Sequence, residues 1–82
     1  MTPVPTRCFS GERFRAHRKA AGYTETRLSG VIGINRVTIN AWARGAITPS
    51  LKSVLILSDV LGCTVDDLLA PVGEVASDGP DA

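Results

Sequence analysis

Four glycines, Gly22, Gly33, Gly45 and Gly62, each follow an apolar-patterned run and so mark where helices stop. Facing these stops are helix starts. Ser10, Thr24 and Asn35 are residue types whose side-chain oxygen satisfies a free backbone N–H of a first turn, and Thr48-Pro49 has the cap-then-proline order. Punctuation this dense allows only short helices, and nothing in the chain alternates in the manner of a strand.

The first helix runs from near Gly11 to the Gly22 stop, with Glu12 in its first turn and Phe14, Arg18 and Ala21 on one stripe. Thr24 opens a second helix to about Ile32, with Leu28, Val31 and Ile32 as its apolar face. Asn35 opens a third, to about Arg44; Ala46 to Thr48 form a linker. A fourth starts at Thr48-Pro49 and ends at Gly62. Thr64-Val-Asp-Asp67 resembles a capping box, with Leu68 and Leu69 as anchors of a fifth helix. The expected fold is all-α, a compact five-helix bundle. Residues 1–9, with Pro3 and Pro5, read as a flexible arm, residues 10–70 as the domain, and residues 71–82 as a disordered acidic tail.

With 82 residues there is room for one domain, and 44% apolar residues give it a thin core. No run approaches the ~20 apolar residues of a membrane span, and residues 1–9 lack the apolar stretch of a secretory signal, so a cytoplasmic protein is expected. Cys8 and Cys63 are too far apart for a metal-ligand pair and His17 is the lone histidine, so free thiols and no metal are expected. A phosphate-cradling loop, a carboxylate pair and an activated nucleophile are all missing, which argues against an enzyme, a cofactor or a small-molecule substrate. Charge is more informative. All nine Lys and Arg residues lie between Arg7 and Lys52, beside only Glu12 and Glu25, so that stretch carries 9 − 2 = +7. From residue 53 onward six acids and no base give −6. Such sorting points to a polyanion facing the cationic half.

Residues 24–32, the turn Gly33-Ile34-Asn35 and residues 36–44 make a helix, a three-residue turn and a second helix. In a helix-turn-helix the second helix enters the major groove of DNA. Leu28, Ile34, Ile39 and Trp42 are spaced to pack the two together, which turns Arg36, Val37, Asn40 and Ala41 outward. Arginine can donate to guanine, asparagine can pair with adenine, and valine and alanine can meet a thymine methyl.

Residues 14–69 resemble the lambda-repressor-like helix-turn-helix family of bacterial and phage regulators. The landmarks are Gly22, Leu28, Gly33, Ile39, Trp42, Gly45, Pro49-Ser50-Leu51, Leu61-Gly62 and Asp67-Leu68-Leu69. The resemblance implies a domain that binds double-stranded operator DNA as a dimer, most often to repress. It gives base contacts to Arg36, Val37, Asn40 and Ala41, and phosphate-side positions to Thr24, Glu25, Asn35, Arg44 and Arg18. Three positions depart from the family. Glu25 stands where an amide usually bonds phosphate, and a carboxylate there needs Arg27, Arg18 or another cation to neutralise it. Ala43 replaces a glutamate that pairs with the first-helix arginine, and Ala46-Ile47 replaces an often basic linker. In the fourth helix Leu51, Val54, Leu57 and Leu61 suffice for the core. Ile56 and Val60 are a surplus i, i+4 pair, the expected homodimer contact. The rival reading is a helix-turn-helix protein-interaction module, antitoxin-like or phage-encoded, that docks onto another protein.

Overall fold

The computed structural model of the protein describes residues 7–72. Four α-helices follow a short strand: β1 (Arg7–Phe9), α1 (Gly11–Ala20), α2 (Glu25–Ile32), α3 (Arg36–Ala43) and α4 (Leu51–Leu61). A 3-10 turn, Asp66–Leu68, leads into β2 (Leu69–Pro71). Among the described residues no helix is long and apolar enough to cross a membrane.

The expected caps form at three of the four α-helix starts. Ser10 Oγ accepts from Arg13 N at 3.1 Å, Thr24 Oγ1 from Arg27 N at 3.0 Å, and Asn35 Oδ1 from Val37 N at 2.7 Å. Each such bond contributes about 1 kcal/mol. The fourth start differs: Ser50, not Thr48, caps α4, its hydroxyl accepting from Ser53 N at 3.2 Å. Pro49 is buried ahead of the cap rather than opening the helix.

Two expectations need correction at the chain's ends. Instead of a fifth α-helix there is the 3-10 turn, because Asp66–Leu68 is only three residues long before the backbone extends at Leu69. The Thr64–Asp67 box does form: Asp67 N donates to Thr64 Oγ1 at 3.1 Å and Thr64 N to Asp67 Oδ2 at 3.0 Å. Nor is the molecule free of strands. β1 pairs antiparallel with β2 in the register Arg7↔Pro71, Cys8↔Ala70, Phe9↔Leu69. The last three residues of the expected arm thus belong to the domain, with Phe9 in the core. The rest of that arm, 1–6, and the tail from residue 73 lie outside the described residues.

Phe14, Leu28, Ile39, Leu57 and Leu68 are fully buried, and Trp42, Val54 and Leu61 nearly so. Phe14 meets the Trp42 ring edge-on, with centroids 6.3 Å apart, and Phe9 at 5.8 Å. In α4 the inward residues are Val54, Leu57, Ser58 and Leu61, spaced i, i+3, i+4, i+7. This phase corrects the reading of the outer face. Leu51, expected in the core, is 71% exposed because it opens the helix right after the cap; Leu55, one turn on, is 48% exposed. Val60 is partly buried against the core, and Ile56 is half-buried.

Gly11, in the first turn of α1, lies under the end of α3. A Cβ there would sit 2.5 Å from the Ala43 carbonyl oxygen and 2.6 Å from that of Trp42. Neither carbonyl can move without displacing α3. Gly30, in α2, has open space around its Cβ position. Gly11→Ala is therefore expected to lose about 1–3 kcal/mol to overpacking, whereas Gly30→Ala is expected to gain about 0.5–1 kcal/mol from helix propensity. Thermal or denaturant unfolding of the two variants checks this; a stabilising Gly11→Ala would refute the close approach.

The Asp67 carboxyl is held below its usual range, first by the Thr64 backbone N–H and then by the Thr64 hydroxyl. A lowered folded-state value means the ionised form favours the fold. That contribution is complete above the unfolded value of about 3.9 and vanishes as pH falls through the lower folded value. Asp67→Asn is expected to flatten the acid limb of the melting-temperature profile below about pH 4; superimposable profiles would rule the box out as a source of acid sensitivity.

Candidate nucleic-acid interface

α3 is a helix with two different faces because its apolar residues recur at helical spacing. Ile39, Trp42 and Ala43 are buried; Arg36 and Val37 are exposed, Val37 to 66%. Asn40 and Ala41, one turn on, are half-buried at the margin of the same outward face. All four proposed base readers are thus brought together on one side.

The α2–α3 turn is tightly held. Gly33 takes a left-handed conformation (φ 73°), its N–H donating to Ser29 O at 2.9 Å. Ser29 Oγ donates to Ile34 O at 2.6 Å, fixing the turn from the preceding helix. Nothing marked Ser29 in the sequence beyond its being a small hydroxyl a few residues before a glycine. At the starts of α2 and α3, the second of which follows this turn directly, the Thr24 and Asn35 side chains are exposed while capping. The first-turn backbone N–H groups and the partial positive charge of a helix start suit a phosphate.

Glu25 is not neutralised by the cations expected to do so. Arg18 turns inward, its NH1 donating to Tyr23 O at 2.6 Å, where the chain leaves α1 with an otherwise open carbonyl. Its Nε is buried without a partner. The expected phosphate role of Arg18 is accordingly reassigned to an internal one, bridging α1 to the start of α2. Arg27 lies over the Tyr23 ring, 5.7 Å from its centroid. Glu25 instead accepts from the Asn40 amide, 3.1 Å to Oε2 and 3.4 Å to Oε1, and Asn40 Oδ1 accepts from Arg44 Nε at 2.8 Å. Carboxylate, amide and guanidinium form one chain across the α2–α3 surface.

The cationic half of the sequence is thinner in space than in formal count. Arg7 forms an ion pair with Asp66, which raises the Arg7 pKa, and also donates to the Asp66 carbonyl at 3.2 Å. Arg13 donates to Leu69 O at 2.9 Å. These two fasten β1 and α1 to the acidic C-terminal stretch. Arg15, Lys19, Arg27, Arg36 and Arg44 remain exposed on the α1–α3 part of the molecule. Cys8 and Cys63 are free, and burial together with the nearby Asp67 pushes the Cys63 thiol pKa up.

A family model described as helix-turn-helix matches residues 14–68. The repressor protein C2 of Salmonella phage P22 is 37% identical over 59 residues, which is 72% of this chain and 27% of that protein. The chain thus spans about a quarter of the length of that relative. Among solved structures, the P22 c2 repressor in complex with a synthetic operator superposes with a TM-score of 0.66 at 36% identity, covering 71% of this chain and 88% of that one. The restriction-modification controller protein C.AhdI from Aeromonas hydrophila gives the same TM-score, 0.66, and the same coverage, at 29% identity. Two faces on one capped helix, a glycine turn sealed by Ser29 and this match from Phe14 to Leu68 lead to one conclusion: the chain belongs to the lambda-repressor-like helix-turn-helix family.

Proposed function

We propose that this protein is a sequence-specific double-stranded DNA-binding transcriptional regulator, a repressor that acts by occupying its operator as a dimer. The observation that carries the proposal is the outward face of α3, with Arg36 and Val37 exposed in its first turn directly after the Asn35 cap. Similarity to a repressor solved on operator DNA supports it. Arg36 is the guanine reader, Val37 and Ala41 meet methyl groups, and Asn40, its NH2 engaged by both Glu25 oxygens, keeps one lone pair of its carbonyl oxygen for a base after serving Arg44. Thr24, Asn35 and Arg44 flank phosphate. Glu25 repels it and acts inside the protein. Repression follows from exclusion at the promoter and calls for no chemistry beyond binding.

The dimer contact is reassigned from Ile56 and Val60 to Leu51 and Leu55, an i, i+4 pair on the outside of α4. Both are adjacent on one face, 71% and 48% exposed, and so form a contiguous apolar surface that a second copy could cover.

Selection of bound sites from random duplexes tests the function directly and is expected to return a two-fold motif whose half-site spacing reports the dimer. On that site Arg36→Ala is expected to lose about 1–3 kcal/mol of discrimination. Affinity is expected to fall with salt by a log–log slope of about −0.9 per phosphate neutralised. A protein that enriches no motif, or binds independently of salt, would sink the reading and favour docking onto a protein partner. Leu51→Glu with Leu55→Glu is expected to halve the mass in solution, as measured by light scattering; an unchanged mass excludes that pair as the contact.

A further inference from the structure

Asn40 lies between two groups of opposite character. Its NH2 faces the Glu25 carboxylate, 3.1 and 3.4 Å from the two oxygens, and its carbonyl oxygen accepts from Arg44 Nε at 2.8 Å. A carboxylate only accepts and a guanidinium only donates. Turning the amide over would set its oxygen against a carboxylate and its NH2 against a donor. The orientation is therefore dictated from both sides, on a residue half-buried at the edge of the outward face of α3. Arg44 spends only Nε here, which leaves its terminal NH2 groups available for an anion. Meanwhile Glu25, in the first turn of α2, sets a negative charge against Asn40, two hydrogen bonds away from the Arg44 guanidinium. Its charge weakens attraction to any phosphate backbone, whatever the base sequence.

We infer that Glu25 is a specificity-determining positioning residue: through its hydrogen bond it fixes the Asn40 amide and, through Asn40, Arg44, while its charge suppresses binding to DNA of arbitrary sequence. The inference deepens the DNA-reading proposal and rests on it for its second half. Specificity here is a ratio. Glu25 raises that ratio from both ends, by setting a reader in advance and by opposing contacts that carry no sequence information.

The test uses Glu25→Ala and Glu25→Gln in the full chain. In the free protein, 15N relaxation of the Asn40 side-chain amide is expected to show a rigid NH2 in wild type, a mobile one in Glu25→Ala, and an intermediate one in Glu25→Gln, whose own amide can reverse. On duplexes, both variants are expected to bind random sequence about threefold more tightly, the effect of removing one charge near the backbone in water. Glu25→Ala is expected to lose about tenfold in discrimination at the base pair facing Asn40, and Glu25→Gln to recover part of it. An equally mobile Asn40 amide in wild type and Glu25→Ala overturns the positioning role. Unchanged discrimination and unchanged random-sequence affinity overturn the specificity role. Should wild type bind no duplex at all, the DNA reading falls and the specificity role with it, while the relaxation measurement still decides whether Glu25 positions Asn40.

Discussion

Everything the outward face of α3 can do follows from how its inward face is fastened. Trp42 is wedged edge-on against Phe14, and Ile39 is fully buried one turn before it. Large aromatic and branched side chains dominate the packing of so small a core, and they tolerate little rotation of the helix that bears them. With those two positions fixed, the 3.6-residue repeat leaves Arg36, Val37, Asn40 and Ala41 no choice of direction. Gly11 completes the arrangement from below, letting the first turn of α1 approach the last carbonyls of α3. The outward face of α3 is in this sense the reverse side of the core.

Charge shows how a linear count becomes a surface. The sequence sorts its cations into one half and its anions into the other, but the fold spends several of the cations internally. Arg7 and Arg13 tie the first strand and helix to the acidic end, and Arg18 answers the Tyr23 carbonyl. The exposed Arg7–Asp66 pair adds little stability by itself. It marks where β1 passes the 3-10 turn, a placement held by the pairing with β2 and the burial of Phe9. Of the remaining cations, Arg15, Lys19, Arg27, Arg36 and Arg44 stay exposed on the α1–α3 part of the molecule.

Much of the fold was legible because it is local. A cap, an apolar stripe and a stop all lie within ten or so residues of one another, so Ser10, Thr24, Asn35 and the four glycines could be read in order. Arg36 and Val37 were legible as exposed for the same reason, given Ile39 and Trp42 as anchors; Asn40 and Ala41 are half-buried at the margin of that face. What could not be read depends on distant partners. Residues 7–9 and 69–71 are three-residue strands that exist only because each finds the other, so neither carries a period of its own. Phe9 is core for that reason alone. Leu51 was misplaced because Ser50, not Thr48, caps α4, which makes Leu51 the first residue of the helix; Val54, Leu57 and Leu61 face inward as expected. The partner of Glu25 is on another helix, and only the angle between α2 and α3 selects Asn40 over Arg18 or Arg27.

The pairing of Arg7 with Pro71 also gives the molecule a nearly circular topology. Antiparallel partners stand about 5 Å apart, so the chain enters and leaves the bundle through one gate. The two ends of the described bundle therefore stand side by side, the geometry in which permuting a domain, or seating it as an insert, asks least of its helices.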